Sequence, residues 1–125
     1  SFNVKSYTLI DLEPVLELTK KYMESVGVDT SKINFITMDK LSYDLSYDLL
    51  ISNYAYTECS KSIQLEYFDK VLSKSKMGYI TANFINKFFN LDYLTLDELQ
   101  KMINNITLVE EEPKTHANNI IIVWK

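Results

Sequence analysis

Apolar positions along this chain fall into short blocks whose period switches between two and about 3.6 residues, the mark of strands alternating with helices. Tyr7-Thr8-Leu9-Ile10-Asp11 predicts a first strand over residues 6–11. Val15, Leu18, Tyr22 and Val26 follow at helical spacing, with Pro14 in the first turn and Gly27 as a stop. Ile33-Asn34-Phe35-Ile36-Thr37, bounded by Asp39, is the second strand and Leu49-Leu50-Ile51 the third. The link between them, carrying the echo Leu41-Ser42-Tyr43-Asp44-Leu45 and Leu45-Ser46-Tyr47-Asp48-Leu49, has room for one helical turn and not for a crossover helix. A helix is predicted over residues 62–72, with Ile63, Tyr67 and Val71 in one stripe, before a fourth strand at Gly78-Tyr79-Ile80-Thr81. Residues 83–92, with Phe84, Phe88 and Phe89, read equally as loop or short helix. Thr95-Leu96-Asp97-Glu98 has capping-box spacing and opens a helix through Leu99 and Ile103. Residues 106–110 and 120–124 form two last strands, joined by a polar turn short enough for an antiparallel hairpin. The order predicts an α/β fold, mostly parallel, with a C-terminal antiparallel hairpin.

Composition narrows the partners. The 125 residues, 46% apolar, supply one domain's core. A net charge of -4 argues against nucleic acid, and Lys70-Val71-Leu72-Ser73-Lys74-Ser75-Lys76 reads as a helix end with cations complementing its dipole. One cysteine, Cys59, excludes an intrachain disulfide and fits a reducing compartment. With no long apolar run, the expectation is a soluble cytoplasmic protein without a membrane partner.

In open α/β sheets ligands collect beyond the carboxyl ends of parallel strands. Asp11, Asp39, Asn53 with Glu58, and Asn83 occupy those ends. A strand-end carboxylate such as Asp11 accepts two hydrogen bonds from a ribose diol, or caps the next helix, or does both. Asp39 would accept from an exocyclic adenine amine or form a turn. The segment Asn53-Tyr54-Ala55-Tyr56-Thr57-Glu58 sets amides and rings directly after a buried strand, where they would line a base, a methionyl chain or an acceptor, or pack as an ordinary loop. Glu58 would orient or deprotonate an acceptor hydroxyl. His116, the single histidine, would take a proton at neutral pH or be a solvated turn residue. No metal set is expected, and Glu110-Glu111-Glu112 reads as a solvated strand exit.

Tyr7-Thr8-Leu9-Ile10-Asp11-Leu12-Glu13-Pro14, Asp48-Leu49-Leu50-Ile51-Ser52-Asn53-Tyr54-Ala55-Tyr56-Thr57-Glu58, Tyr67-Phe68-Asp69-Lys70-Val71-Leu72 leading to Gly78-Tyr79-Ile80, and Glu112-Pro113-Lys114-Thr115 with Asn118-Asn119 and Trp124 occur in a telling order. Together they resemble the later part of a class I, Rossmann-like S-adenosylmethionine-dependent methyltransferase, and more narrowly a bacterial family of sugar O-methyltransferases. The resemblance implies S-adenosylmethionine as cofactor, Asp11 on its ribose and Asp39 near its adenine. It also implies Asn53, Tyr54 and Glu58 at the mouth shared by methionyl group and acceptor, and a small hydroxyl acceptor, sugar-like, with no nucleic acid. The family opens with a strand and a glycine-rich turn, neither of which stands before Tyr7. The expectation is a single incomplete methyltransferase domain over residues 1–125, enzymatic in a longer parent and inactive alone, its open sheet edges completed by further chain or by a second copy. Transfer to nitrogen, a nicotinamide-linked oxidoreductase, and a noncatalytic α/β binding or assembly module are the competing readings.

Overall fold

The computed structural model describes residues 4–84 and 92–125, so Phe88 and Phe89 lie outside the described residues. Two compact units are present, Ser1–Ser42 and Tyr43–Lys125.

The first unit is a strand-helix-strand crossover: β1 (Tyr7–Ile10), α1 (Glu13–Ser25) and β2 (Ile33–Ile36), closed by one 3-10 turn at Met38–Lys40. β1 and β2 run parallel, Ile10 opposite Ile36. Pro14 occupies the first turn of α1, where its missing N–H costs no helical bond. The helix ends in a Schellman arrangement: Gly27, at φ 78°, donates to the Glu24 carbonyl at 3.1 Å and Val28 to that of Met23 at 2.9 Å. One expectation is corrected here. Leu16 is the buried residue of α1, at 7% exposure, while Leu18 and Tyr22 are 67% and 66% exposed, and Val15 and Val26 are exposed with them. Both stripes satisfy helical spacing. The shielded one, Leu16, Thr19 and Met23, lies about 100° round the helix from the predicted one.

The second unit contains β3 (Tyr47–Asn53), a one-turn α2 (Ala55–Glu58), α3 (Lys61–Lys70), a 3-10 turn (Leu72–Lys74), β4 (Ser75–Asn83), α4 (Leu96–Met102), β5 (Thr107–Glu110) and β6 (Asn119–Trp124). The four strands lie in the order β3-β4-β6-β5, with β3 and β4 parallel and the other two ladders antiparallel. Two ladders are thus parallel and two antiparallel, so the expected α/β fold with its C-terminal antiparallel hairpin is present, its sheets mixed rather than mostly parallel. Ile80, Ala82, Ile122 and Leu99 form the fully buried core. Gly78 faces Trp124 across the β4–β6 ladder, and a Cβ there would lie 2.0 Å from the indole. The glycine is therefore required by the ring that covers it. The predicted capping box forms at α4: Glu98 N–H donates to Thr95 Oγ1 at 3.2 Å, and Thr95 N–H donates to Glu98 Oε2 at 2.8 Å.

The Lys70-to-Lys76 segment is a helix end only in part: Lys70 lies in the last turn of α3 and Lys74 in the 3-10 turn that follows, while Lys76 does not. α3 stops at Lys70, which is buried, bonded to Glu66 at 2.8 Å and set 5.0 Å from the Tyr43 ring centroid. Lys76 belongs to β4 and pairs with Asp48 at 2.7 Å. Among the described residues β1 has β2 as its one ladder neighbour and β3 has β4.

Candidate functional site

In the first unit the parallel pairing sets Asp11 and Asp39 beyond the carboxyl ends of neighbouring strands, one residue after Ile10 and three after Ile36. Both are exposed. The Leu12 N–H donates to Asp11 Oδ1 at 2.7 Å, so the carboxylate steadies the entry to α1 without occupying the N-cap, which is Leu12. Across the start of the helix Lys40 pairs with Glu13 at 2.9 Å, joining the turn that carries Asp39 to α1. The cleft between α1 and β2, lined by Leu16, Lys20, Phe35, Ile36, Thr37 and Lys40, holds about 130 Å³. Ligand pockets run from about 300 Å³ upward. This unit therefore offers an acidic edge rather than an enclosed pocket.

In the second unit β3 ends at Asn53, opposite Thr81 of β4. Tyr54 then turns the chain with φ 63° and ψ -34°, a conformation that costs a non-glycine residue roughly 1–3 kcal/mol and is found where surrounding structure enforces it. The enforcement is visible: Tyr54 N–H donates to the Thr81 carbonyl at 2.9 Å and to Thr81 Oγ1 at 3.1 Å. The turn divides the following segment. Asn53 and Glu58 stay exposed, whereas Tyr56 and Thr57 are buried. Tyr56 donates to the Gln64 carbonyl at 3.2 Å, Gln64 Nε2 returns a bond to the Tyr56 carbonyl at 3.0 Å, and the Tyr67 ring meets Tyr56 edge-on at 6.4 Å. Burial pushes the Tyr56 phenol up, beyond the range in which it exchanges protons near neutrality. Tyr56 is thus a core residue, and only part of this segment can face a ligand.

The Tyr54 hydroxyl donates to Glu111, which its acidic run alone marks as a solvated strand exit. Thr115 bonds Glu111 Oε2 through its N–H at 2.9 Å and its hydroxyl at 2.6 Å, and Asn119 Nδ2 reaches the same oxygen at 2.9 Å. Asn119 in turn accepts from Asn83 Nδ2 at 2.7 Å. The Thr115, Tyr54 and Asn119 donors hold the Glu111 carboxyl down to about 2, and the neighbouring carboxylate raises the Tyr54 phenol. Glu111, Thr115 and Asn119 went unassigned in the sequence; what could have pointed to them is a Glu, Thr and Asn spaced four apart in a hairpin loop, close enough to converge on themselves. His116 sits on this loop, exposed, its Nδ1 accepting from the Asn118 N–H at 3.1 Å. Tyr54 and the loop bearing His116 are therefore brought together through Glu111, while Glu58 stands at the end of α2. Among the described residues no cluster of three or more metal-ligating side chains occurs.

Comparison with solved structures identifies the fold. The chain is similar to an rRNA methylase from Streptococcus thermophilus, with TM-score 0.63 and 14% identity over 95% of this chain and 72% of that one. It is also similar to a Thermoplasma acidophilum protein (TM-score 0.54, 16% identity, 96% of this chain and 66% of that one). A third similarity is to the Pnkp1/Rnl/Hen1 RNA repair complex (TM-score 0.54, 13% identity, 94% of this chain and 31% of that one). No family model matches the sequence and no curated protein matches it. The fold is class I methyltransferase-like.

These neighbours overturn one expectation, the small sugar-like acceptor with nucleic acid excluded. Two of the three structures are an rRNA methylase and an RNA repair complex. Net charge describes the average field of a surface, which governs non-specific attraction and does not identify what a site accepts. No described helix is long and apolar enough to cross a membrane.

Proposed function

We propose that a protein containing this chain transfers the sulfonium methyl group of S-adenosylmethionine to an RNA. The observation that carries the reading is the pair of exposed strand-end acids, Asp11 and Asp39, on one parallel edge of a methyltransferase-like fold. Asp11 accepts the ribose diol, since its Leu12 bond engages Oδ1 and leaves Oδ2 to a second donor. Asp39 serves the adenine side, and Asn53 and Tyr54 serve the methionyl and acceptor side. The cofactor supplies an activated methyl carbon, and the protein contributes chiefly alignment for in-line displacement. The edges of β1 and β3 that are open among the described residues support an incomplete domain whose missing strand lies in a longer parent; alone, the chain binds the cofactor weakly.

RNA offers ribose hydroxyls and base nitrogens. A hydroxyl acceptor needs a base. His116 Nδ1 already accepts from the Asn118 N–H within its own loop. Glu58, exposed at the end of α2, is the base this reading favours. A nitrogen acceptor with its own lone pair requires neither. The exposure of Asp11 also counts against a noncatalytic module in which packing covers it.

The test is calorimetric titration of the longer protein with S-adenosylhomocysteine, followed by transfer of labelled methyl to RNA and digestion to nucleosides. Binding that weakens about tenfold or more in Asp11→Ala, the scale of a charge-assisted hydrogen bond, is expected. Label on the ribose would be lost in Glu58→Gln and label on a base nitrogen would survive it. Occupancy by a nicotinamide cofactor instead, or no binding at all, would overturn the reading.

A further inference from the structure

We infer that Glu111 is a positioning residue: its carboxylate latches residues 111–119, the segment that carries His116, to Tyr54 at the carboxyl end of β3. This rests on the methyltransferase reading for its purpose and on geometry alone for the latch.

The bonds converge on the Glu111 carboxylate, with the two protons of Asn119 Nδ2 shared among three acceptors. Tyr54 donates its hydroxyl proton to Glu111 Oε1. Thr115 donates both its N–H and its hydroxyl to Oε2, which frees the Thr115 oxygen to accept from Asn119 Nδ2 at 2.7 Å. Asn119 Nδ2 also lies 2.9 Å from Oε2 and 3.2 Å from the Tyr54 hydroxyl, and Asn119 is only 7% exposed. Its carbonyl end is held by Asn83, the last residue of β4, and its backbone N–H by the His116 carbonyl at 3.1 Å. Tyr54 is fixed at its other end by the two bonds from its N–H to Thr81. The ring is thus a strut between β4 and the hairpin loop.

Such a strut has a chemical consequence. A phenol whose proton is given to a carboxylate does not serve as a base, and a carboxylate filled by four donors does not take one up. Neither group is left to react, so their use is to fix where the backbone of residues 112–118 runs and where the Asn53 end of β3 points. That is the geometry on which a displacement reaction depends, because small misplacements of the acceptor wall cost rate without costing cofactor affinity.

No conservative change preserves the circuit. Glu111→Gln turns an acceptor into a donor facing Thr115 or Tyr54, and Tyr54→Phe deletes a single oxygen. Amide hydrogen exchange on the 125-residue chain reads the latch directly. The Thr115 and Asn119 amides are expected to be protected and to exchange about tenfold faster or more in Tyr54→Phe and in Glu111→Gln, the scale of one charge-assisted hydrogen bond. The amides of Ile80 and Ile122 report that the core remains folded, and Glu112→Gln, beside the latch, should change nothing. In the longer protein Glu111→Gln should lower kcat for methyl transfer about tenfold or more while the KM for S-adenosylmethionine stays unchanged, as loss of alignment alone requires. Unprotected Thr115 in the wild type, or exchange unmoved by Tyr54→Phe, overturns the latch. Equal effects on kcat and on cofactor KM overturn the positioning role. Absence of any methyl transfer by the wild type overturns the functional reading, and the exchange result still decides the latch.

Discussion

Glu98 and Glu111 are both held down to about 2, by different means. Glu98 owes its shift first to Lys61, at 2.7 Å, and then to the Thr95 cap. Glu111 owes its shift to the neutral donors of Thr115, Tyr54 and Asn119. In both, the folded value lies below the ordinary 4.5, so the stabilisation is complete above that value and drains away as pH falls from 4.5 toward about 2. Urea midpoints should therefore fall across that window, and Glu98→Gln should remove part of the fall. Salt separates the two contributions. The Lys61–Glu98 pair is partly exposed and is screened, whereas bonds from neutral donors are not. In Glu98→Gln the salt-sensitive share of the acid sensitivity should shrink, and Glu111→Gln should reduce the salt-insensitive share, to which the Ser31 donors at Asp29 also contribute. A residual slope that vanishes in high salt would mean that Glu111 is held by charge rather than by its hydrogen bonds.

At the level of elements, the two glycines make different demands. Gly27 ends α1 at φ 78° with open space around its Cβ position, so Gly27→Ala costs only the left-handed backbone, about 1 kcal/mol. Gly78→Ala meets the Trp124 ring at 2.0 Å and forces a buried side chain to move, costing about 1–3 kcal/mol or more. Thermal denaturation of both variants checks the order, and Trp124→Leu should recover part of the loss in Gly78→Ala but none in Gly27→Ala. The contrast also explains what the sequence revealed. Signals contained within a few residues were legible: the Thr95–Glu98 capping box, Gly27 as a helix stop, and the hairpin of β5 and β6. Which of two helical stripes on α1 is covered was not, because Val15-Leu18-Tyr22 and Leu16-Thr19-Met23 keep the same period and only the tertiary partner chooses between them. Lys70 does stand in the last turn of α3, but its burial was not legible, since it depends on Glu66 and Tyr43 together.

For the whole molecule, the candidate site was half legible. Strand-end acids announce themselves by position, but the partners of Tyr54 lie 57 residues away at Glu111 and 65 away at Asn119, beyond any local pattern. Charge pairing also limits how an RNA could be held. Of the basic cluster around residue 70, Lys70 is buried against Glu66 and Lys76 is paired with Asp48, and the chain as a whole carries a net charge of -4. Counterion release scales with the number of phosphates neutralised, by about 0.7 to 0.9 per contact in log–log slope. On the RNA reading, with a net charge of -4 and the cluster around residue 70 partly paired, this chain's share of binding should engage about three phosphates or fewer, a slope no steeper than about -3. Filter binding of RNA to the longer protein between low and moderate salt, compared with a form in which Lys74 and Lys76 are changed to Ala, measures that share. A steep slope unaltered by those changes would assign RNA capture to other parts of the parent and leave this chain the chemistry alone. A steep slope that collapses with them would mean that the Lys76–Asp48 pair opens on binding, and that charge pairing in the free protein conceals a phosphate-binding surface.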